Sequence, residues 1–182
     1  MRLILLAVMA LWPAWAVAQD FSSLKQPGVV ALMRHALAPG TGDPANFDVD
    51  DCSTQRNLDD RGRAQARRIG DMMRAAGVEF DAVWSSQWCR SKDTATLLDM
   101  GEVREFPPIN SHFAGRGDRA AQRQKTLEAI AARPNDQRLL LVSHFVNIDA
   151  LTGQGASSGE IIVTRRTDGG GLEVIDRIEI AP

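Results

Sequence analysis

Four residues of this chain are of types suited to gripping and transferring an anionic group: Arg34, His35, Arg90 and His144. Arginine offers a forked, permanently charged donor whose geometry fits phosphoryl oxygens. One imidazole can act as a nucleophile and carry a phosphoryl group, while a second supplies a further donor. That set suits phosphoryl transfer through a histidine.

Each of the four sits at the end of a short apolar run. Val29 to Met33 leads directly into Arg34-His35, and the chain then breaks at Pro39 and Gly40. Phe80 to Ser86 opens into Gln87-Trp88-Cys89-Arg90, with a helical pattern from Ser91, and Arg138 to Ser143 ends in His144. Each run is long enough for one buried strand, and in an open α/β sheet ligands gather where parallel strands end. The three runs are therefore expected to deliver all four side chains to one rim.

The intervening segments read as helices. From Leu58 the apolar period places Gly62, Ala66, Ile69, Met73 and Ala76 on one face, with Asp59 or Asp60 as cap, Gly77 as terminator and a solvated arginine face opposite. Asp93 to Met100 is a short helix stopped by Gly101, and Val103 to Ile109 is extended but interrupted by Pro107 and Pro108. Asp118 to Arg133 is a helix with Ala120, Leu127, Ile130 and Ala131 inward, and another follows His144 through Leu151 to Gly153. Ile161 to Thr164 and Leu172 to Ile180 form a closing hairpin, giving a mainly parallel sheet with an antiparallel edge. Residues 36–57 hold Pro39, Gly40, Gly42, Pro44 and four aspartates without any period. This is either a loop covering one side of the pocket or a solvated acidic surface.

The chain resembles the histidine phosphatase superfamily, the phosphoglycerate-mutase-like group. Its Arg-His-Gly hallmark appears as Arg34-His35-Ala36, with small Ala36 in the glycine position. Leu58 to Ala66 is similar to the family's Leu-Thr-x-x-Gly-x-x-Gln-Ala helix start, and Arg90 to Ala95 to its Arg-x-x-x-Thr-Ala segment. The resemblance implies a three-layer α/β/α sandwich. It also implies phosphomonoester or phosphoramidate hydrolysis through a phosphohistidine on His35, with Arg34, Arg90 and His144 holding the phosphoryl oxygens and no metal or cofactor required.

Such chemistry needs an acid for a poor leaving group. Phe145 fills the place after the second histidine where one branch has an aspartate, so Glu160 and Asp118 are the candidates. Each also has a bland reading, as a surface charge and a helix cap. Without an acid, the preferred donors would be phenyl phosphates, phosphoramidates such as phosphohistidine, or anhydrides. His112, Trp88 and Asn147 are candidate substrate contacts, with exposure or core packing as the alternative for the first two. The stretch from His144 to Gly153 is also similar to exported relatives associated with lipopolysaccharide sugar phosphates, so the expected partner is a phosphorylated small molecule or sugar phosphate.

Residues 1–18 have the form of an export signal: Arg2, an apolar run from Leu3 to Trp15 interrupted at Pro13, and a small-x-small site at Ala16-Val17-Ala18. An uncleaved anchor is the alternative, although the run is short for a bilayer. The expectation is one domain over residues 19–182, periplasmic or secreted and not inserted in the membrane. In that oxidising setting Cys52 and Cys89, both near the expected rim, either form a disulfide or stay free. The net charge of −2, with basic residues scattered, argues against nucleic acid as partner. A phosphoryl-binding protein without turnover and a phosphoglycerate-type mutase are the competing functions; the export signal disfavours the mutase.

Overall fold

The computed structural model describes residues 19–182, so the export signal read from residues 1–18 lies outside the described part. Six strands form one sheet: β1 Val29–Arg34, β2 Ala82–Ser85, β3 Val103–Glu105, β4 Leu139–Ser143, β5 Ile161–Arg166 and β6 Leu172–Ile178. Their order is β3-β2-β4-β1-β5-β6. β1 to β4 run parallel, β5 is antiparallel to β1, and β6 is antiparallel to β5. Register matters most in the centre, where Arg34 lies beside Ser143. The next residues along both strands, His35 and His144, therefore leave the sheet side by side.

Four helices cover the sheet: α1 Asp60–Ala75, α2 Cys89–Leu98, α3 Arg119–Ala131 and α4 Phe145–Thr152. Successive strand residues point to opposite faces. Ala31, Met33, Leu140 and Val142 accordingly pack with Ile69 and Met73 of α1 and Ala95 and Leu98 of α2. Val30, Leu32, Leu139 and Leu141 pack on the other face with Ile130 of α3 and Ile148 of α4. The result is a three-layer α/β/α sandwich with an antiparallel edge hairpin.

Several elements differ from the sequence expectation. α2 begins at Cys89, so Arg90 lies within its first turn, and it stops at Leu98 because Asp99 turns left-handed at φ 52°. The extended run after Val103 ends at Glu105, and Pro107–Ile109 winds into a 3₁₀ turn. In α3, Ala120 and Ala131 are exposed, while Thr126 and Ile130 are buried. The inward face is partly polar: Gln122 Nε2 donates to the Asn110 carbonyl at 2.6 Å, and the Thr126 hydroxyl to the Gln122 carbonyl at 2.8 Å. An apolar count cannot register a face that packs by bonding to backbone.

The α1 motif has a steric explanation. Asp59 caps the helix by accepting from the Gly62 amide at 2.8 Å. A Cβ on Gly62 would lie 1.9 Å from the Leu37 carbonyl oxygen, so α1 can approach the chain leaving β1 only with glycine there. Gln65, wholly buried, then accepts from the Leu37 amide and donates to the Ser158 and Ile180 carbonyls. Gly62→Ala should destabilise the fold by about 1 to 3 kcal/mol, the usual cost of overpacking. Urea unfolding will check this through a lowered midpoint at unchanged slope.

Candidate active site

The ends of β1, β2 and β4 converge on a cleft of about 300 Å³ whose lining includes Arg34, His35, Arg56, Arg90, His144 and Phe145. His35 and His144 are each 2% exposed, and their ring centroids are 5.4 Å apart. All four residues that the sequence singled out therefore share one site.

The local backbone explains how His35 is held. Its amide donates to the Ser143 carbonyl at 2.9 Å, and the Gly159 amide donates to the Arg34 and His35 carbonyls at 3.2 Å each. The next amide, of Ala36, donates to the Thr94 hydroxyl at 3.0 Å, and that hydroxyl donates to the Arg90 carbonyl at 2.7 Å. Thr94 thus couples the two halves of the site. Ala36 is buried and is not among the left-handed residues, so this turn does not need the glycine of the family hallmark.

His35 Nδ1 lies 2.8 Å from the Ala36 carbonyl, which can only accept, so Nδ1 carries the proton and Nε2 the lone pair. Arg90 Nε donates to that Nε2 at 3.2 Å. His144 Nε2 is 2.9 Å from the Ser86 hydroxyl, which leaves Nδ1 as the nitrogen able to meet a ligand. Burial first, then the Arg90 charge, hold His35 well below the usual imidazole value; for His144 burial acts first, followed by His35 and Arg90. Both rings are neutral at neutral pH.

Two further residues of the site were missed by sequence reasoning. The Asp43 side chain, 5% exposed, meets Arg90 with Oδ1 2.6 Å from Nη1 and Oδ2 3.2 Å from Nη2. Asp43 also accepts from Trp88 Nε1 at 3.0 Å and from the Arg56 amide at 3.1 Å. Burial alone would raise its carboxyl pKa, but these donors outweigh burial and lower it. Arg56 reaches the cleft from the same loop, with Nε donating to the Gly42 carbonyl at 2.8 Å and Nη1 to the Ala38 carbonyl. Burial and the neighbouring Arg90 push Arg56 down to about 10, so it is still charged at neutral pH. Burial first and then Arg90 likewise lower the pKa of Arg34, whose Nη1 donates to the Ala156 carbonyl at 2.9 Å. Arg34, Arg56 and Arg90 against Asp43 leave two net positive charges, the counterpart of a phosphomonoester dianion. The only sequence signal for Asp43 and Arg56 was the unusual length of residues 36–57, a loop that does line one side of the cleft, through Gly40, Thr41 and Gly42.

The structure directs the remaining candidates elsewhere. Glu160 is buried and paired with Arg177 of β6 at 2.6 Å, while its other oxygen accepts from the Ser157 amide, so it fastens the loop before β5 and does not line the cleft. Asp118 caps α3, accepting from the Ala121 amide at 3.0 Å. His112 makes a 3.1 Å contact from Nε2 to the Val146 carbonyl, and Asn147 donates to the Asn110 carbonyl at 2.9 Å; both lie outside the cleft lining. Trp88 packs edge-on against His144 and stacks on Phe47, which makes it a supporting wall. Cys52 and Cys89 are joined as a disulfide, tying the 36–57 loop to the first residue of α2, beside Arg90. Among the described residues no group of three or more His, Cys, Asp or Glu is placed to hold a metal ion, and no helix is long and apolar enough to cross a membrane.

Residues 30–110, which include Arg34, His35 and Arg90, match the histidine phosphatase superfamily (branch 1). The fold agrees with two solved structures. The protein histidine phosphatase SixA complexed with tungstate aligns at TM-score 0.62 and 16% identity over 83% of this chain and 96% of that one. A phosphoserine phosphatase from Entamoeba histolytica in complex with 3-phosphoglyceric acid aligns at TM-score 0.62 and 14% identity over 84% of this chain and 97% of that one. The family match spans somewhat under half of the chain, and the two structures show that nearly the whole described part shares their fold. The chain is also 31% identical over 78 residues to the mitochondrial serine/threonine-protein phosphatase Pgam5 of Drosophila virilis, a match covering 43% of this chain and 26% of that protein. The chain thus matches about a quarter of that curated relative's length.

The buried neutral histidines also predict how stability depends on pH. Below the ordinary imidazole value of about 6.5 the unfolded chain takes up protons that the folded chain refuses. Stability should therefore be full above that pH and fall beneath it, by up to about 1.4 kcal/mol per pH unit for each histidine. Thermal unfolding between pH 7 and 5 should show the decline, and His144→Gln should make it shallower.

Proposed function

We propose that the protein is a metal-independent phosphatase that hydrolyses phosphomonoesters or phosphoramidates through a phosphohistidine on His35. The observation that carries this reading is the setting of His35: a buried imidazole with Nδ1 2.8 Å from the Ala36 carbonyl, which assigns the proton to Nδ1, and with Nε2 turned toward an arginine-lined cleft. As substrate enters, Arg90 Nε–H shifts its hydrogen bond from His35 Nε2 to a phosphoryl oxygen, and the freed Nε2 lone pair attacks phosphorus in line. A P–N bond forms as the bond to the leaving group breaks, and the leaving group departs with the electron pair. Arg34, Arg90 and the Nδ1 side of His144 hold the equatorial oxygens, and Arg56 adds positive potential at the mouth. Water then attacks the phosphohistidine, breaking P–N and releasing inorganic phosphate. The match of residues 30–110 to the histidine phosphatase superfamily supports phosphatase chemistry, and the substrate is taken to be a phosphorylated small molecule or sugar phosphate.

We also propose export to the periplasm or beyond. The Cys52–Cys89 disulfide supports this, because such bonds persist in oxidising compartments.

Incubation with a ³²P-labelled phosphoramidate followed by rapid denaturation should trap an acid-labile, base-stable label on His35, and a water chase should release it as phosphate. His35→Ala should abolish both label and turnover, whereas added chelator should leave the rate unchanged. A protein that binds phosphate but never takes up the label is a binder, and that result would overturn the proposal.

A further inference from the structure

Among the described residues, the two large apolar side chains left exposed are Phe113, 37% accessible, and Phe145, 40% accessible. Both line the cleft, with ring centroids 5.9 Å apart and planes at 60°. Exposed aromatic surface is unfavourable in water, and two such rings at one opening form a platform for an apolar partner. The platform is built in. Phe145 is the first residue of α4, immediately after His144, and its ring sits 5.5 Å from the Arg34 guanidinium. Phe113 lies in a 3₁₀ turn whose next residue, Ala114, holds a left-handed φ of 55°, a conformation that costs a non-glycine residue energy and is common in binding loops. Across the opening that turn touches the 36–57 loop, where Arg116 lies over the Phe47 ring at 4.5 Å.

A second observation constrains the same leaving group. No Asp or Glu lines the cleft, and the carboxylate of Asp43 is engaged by four donors from Arg90, Trp88 and Arg56. Among the described residues no carboxylic acid is placed there to protonate a departing alkoxide. A phenolic oxygen, with a conjugate-acid pKa of about 10, leaves without that help far more readily than an aliphatic one.

We infer that Phe113 and Phe145 form a leaving-group subsite for a planar aromatic ring, and that the preferred substrates are phosphomonoesters of aromatic alcohols. This rests on the phosphatase reading above. As His35 Nε2 bonds to phosphorus, the P–O bond to the ring breaks, the electron pair stays on the aryl oxygen, and the phenolate takes its proton from water. The phosphohistidine then hydrolyses as before.

The test compares kcat/KM for naphthyl and phenyl phosphate with that for a fluorinated alkyl phosphate of matched leaving-group pKa, so that ring contact is separated from leaving ability. Phosphoramidate serves as a ring-free donor. Ring pairing is worth a factor of roughly 2 to 10 per contact, so aryl substrates should be favoured about tenfold or more. The combined Phe113→Leu and Phe145→Leu substitutions should bring the ratio close to one, and Phe145→Trp should retain it. Both rings are exposed, and thermal midpoints will verify that the variants fold. A wild-type ratio near one, or one that the leucine variants do not change, overturns the subsite while phosphoramidate turnover upholds the phosphatase. Absence of turnover and of label with every donor overturns both.

Discussion

A single buried ion pair holds the site in register. Asp43, on a loop without regular structure, meets Arg90, on the first turn of α2, at 2.6 Å, with both side chains at most 5% exposed. Buried pairs of this kind contribute little net stability, because desolvation consumes most of the Coulomb gain, yet removal of one partner strands the other charge. Their use here is geometric. With Nη1 and Nη2 occupied by Asp43, the Arg90 fork is fixed so that Nε meets His35 Nε2, and the disulfide beside it limits how far loop and helix can separate.

The supporting contacts follow the same logic. Gly62 lets α1 approach the strand exit, Gln65 fastens three backbone segments there, and Thr94 links the Ala36 amide to the Arg90 carbonyl. These are the residues of the two helix motifs recognised beside the histidines, and none of them lines the cleft. Their work is to fix the backbone that aims His35 and Arg90. A neutral imidazole in a cage of net positive charge is the consequence: burial lowers the pKa of both histidines while the three guanidiniums around them stay charged.

What could be read from the chain divides along physical lines. Arg34, His35, Arg90 and His144 were legible because each ends a short apolar strand, and the topology of a parallel sheet carries such ends to one edge. The closing hairpin was legible from its turn residues for similarly local reasons. Asp43 was not, since its place is set by Arg90 and Trp88 far along the chain, nor was Arg56, whose side chain bonds to backbone carbonyls of its own loop, a segment without a period. Glu160 illustrates the converse: its neighbourhood suggested the cleft, but Arg177 on the adjacent strand captures it. The inward face of α3 was misjudged at Ala120 and Ala131 because that helix packs through Gln122 and Thr126, whose hydrogen bonds leave no hydrophobic signature. Phe113 itself gave no signal, although its neighbour His112 did, and its exposure became meaningful only once Phe145 was seen beside it.

The central claim is that His35 stands neutral with its lone pair on Nε2, facing the arginine that Asp43 aims. Nitrogen-15 NMR of histidine-labelled protein measures this directly. At pH 6, below the ordinary imidazole value of about 6.5, His35 should show a protonated Nδ1 and an unprotonated Nε2. An imidazolium at that pH, or the opposite tautomer, would contradict the account.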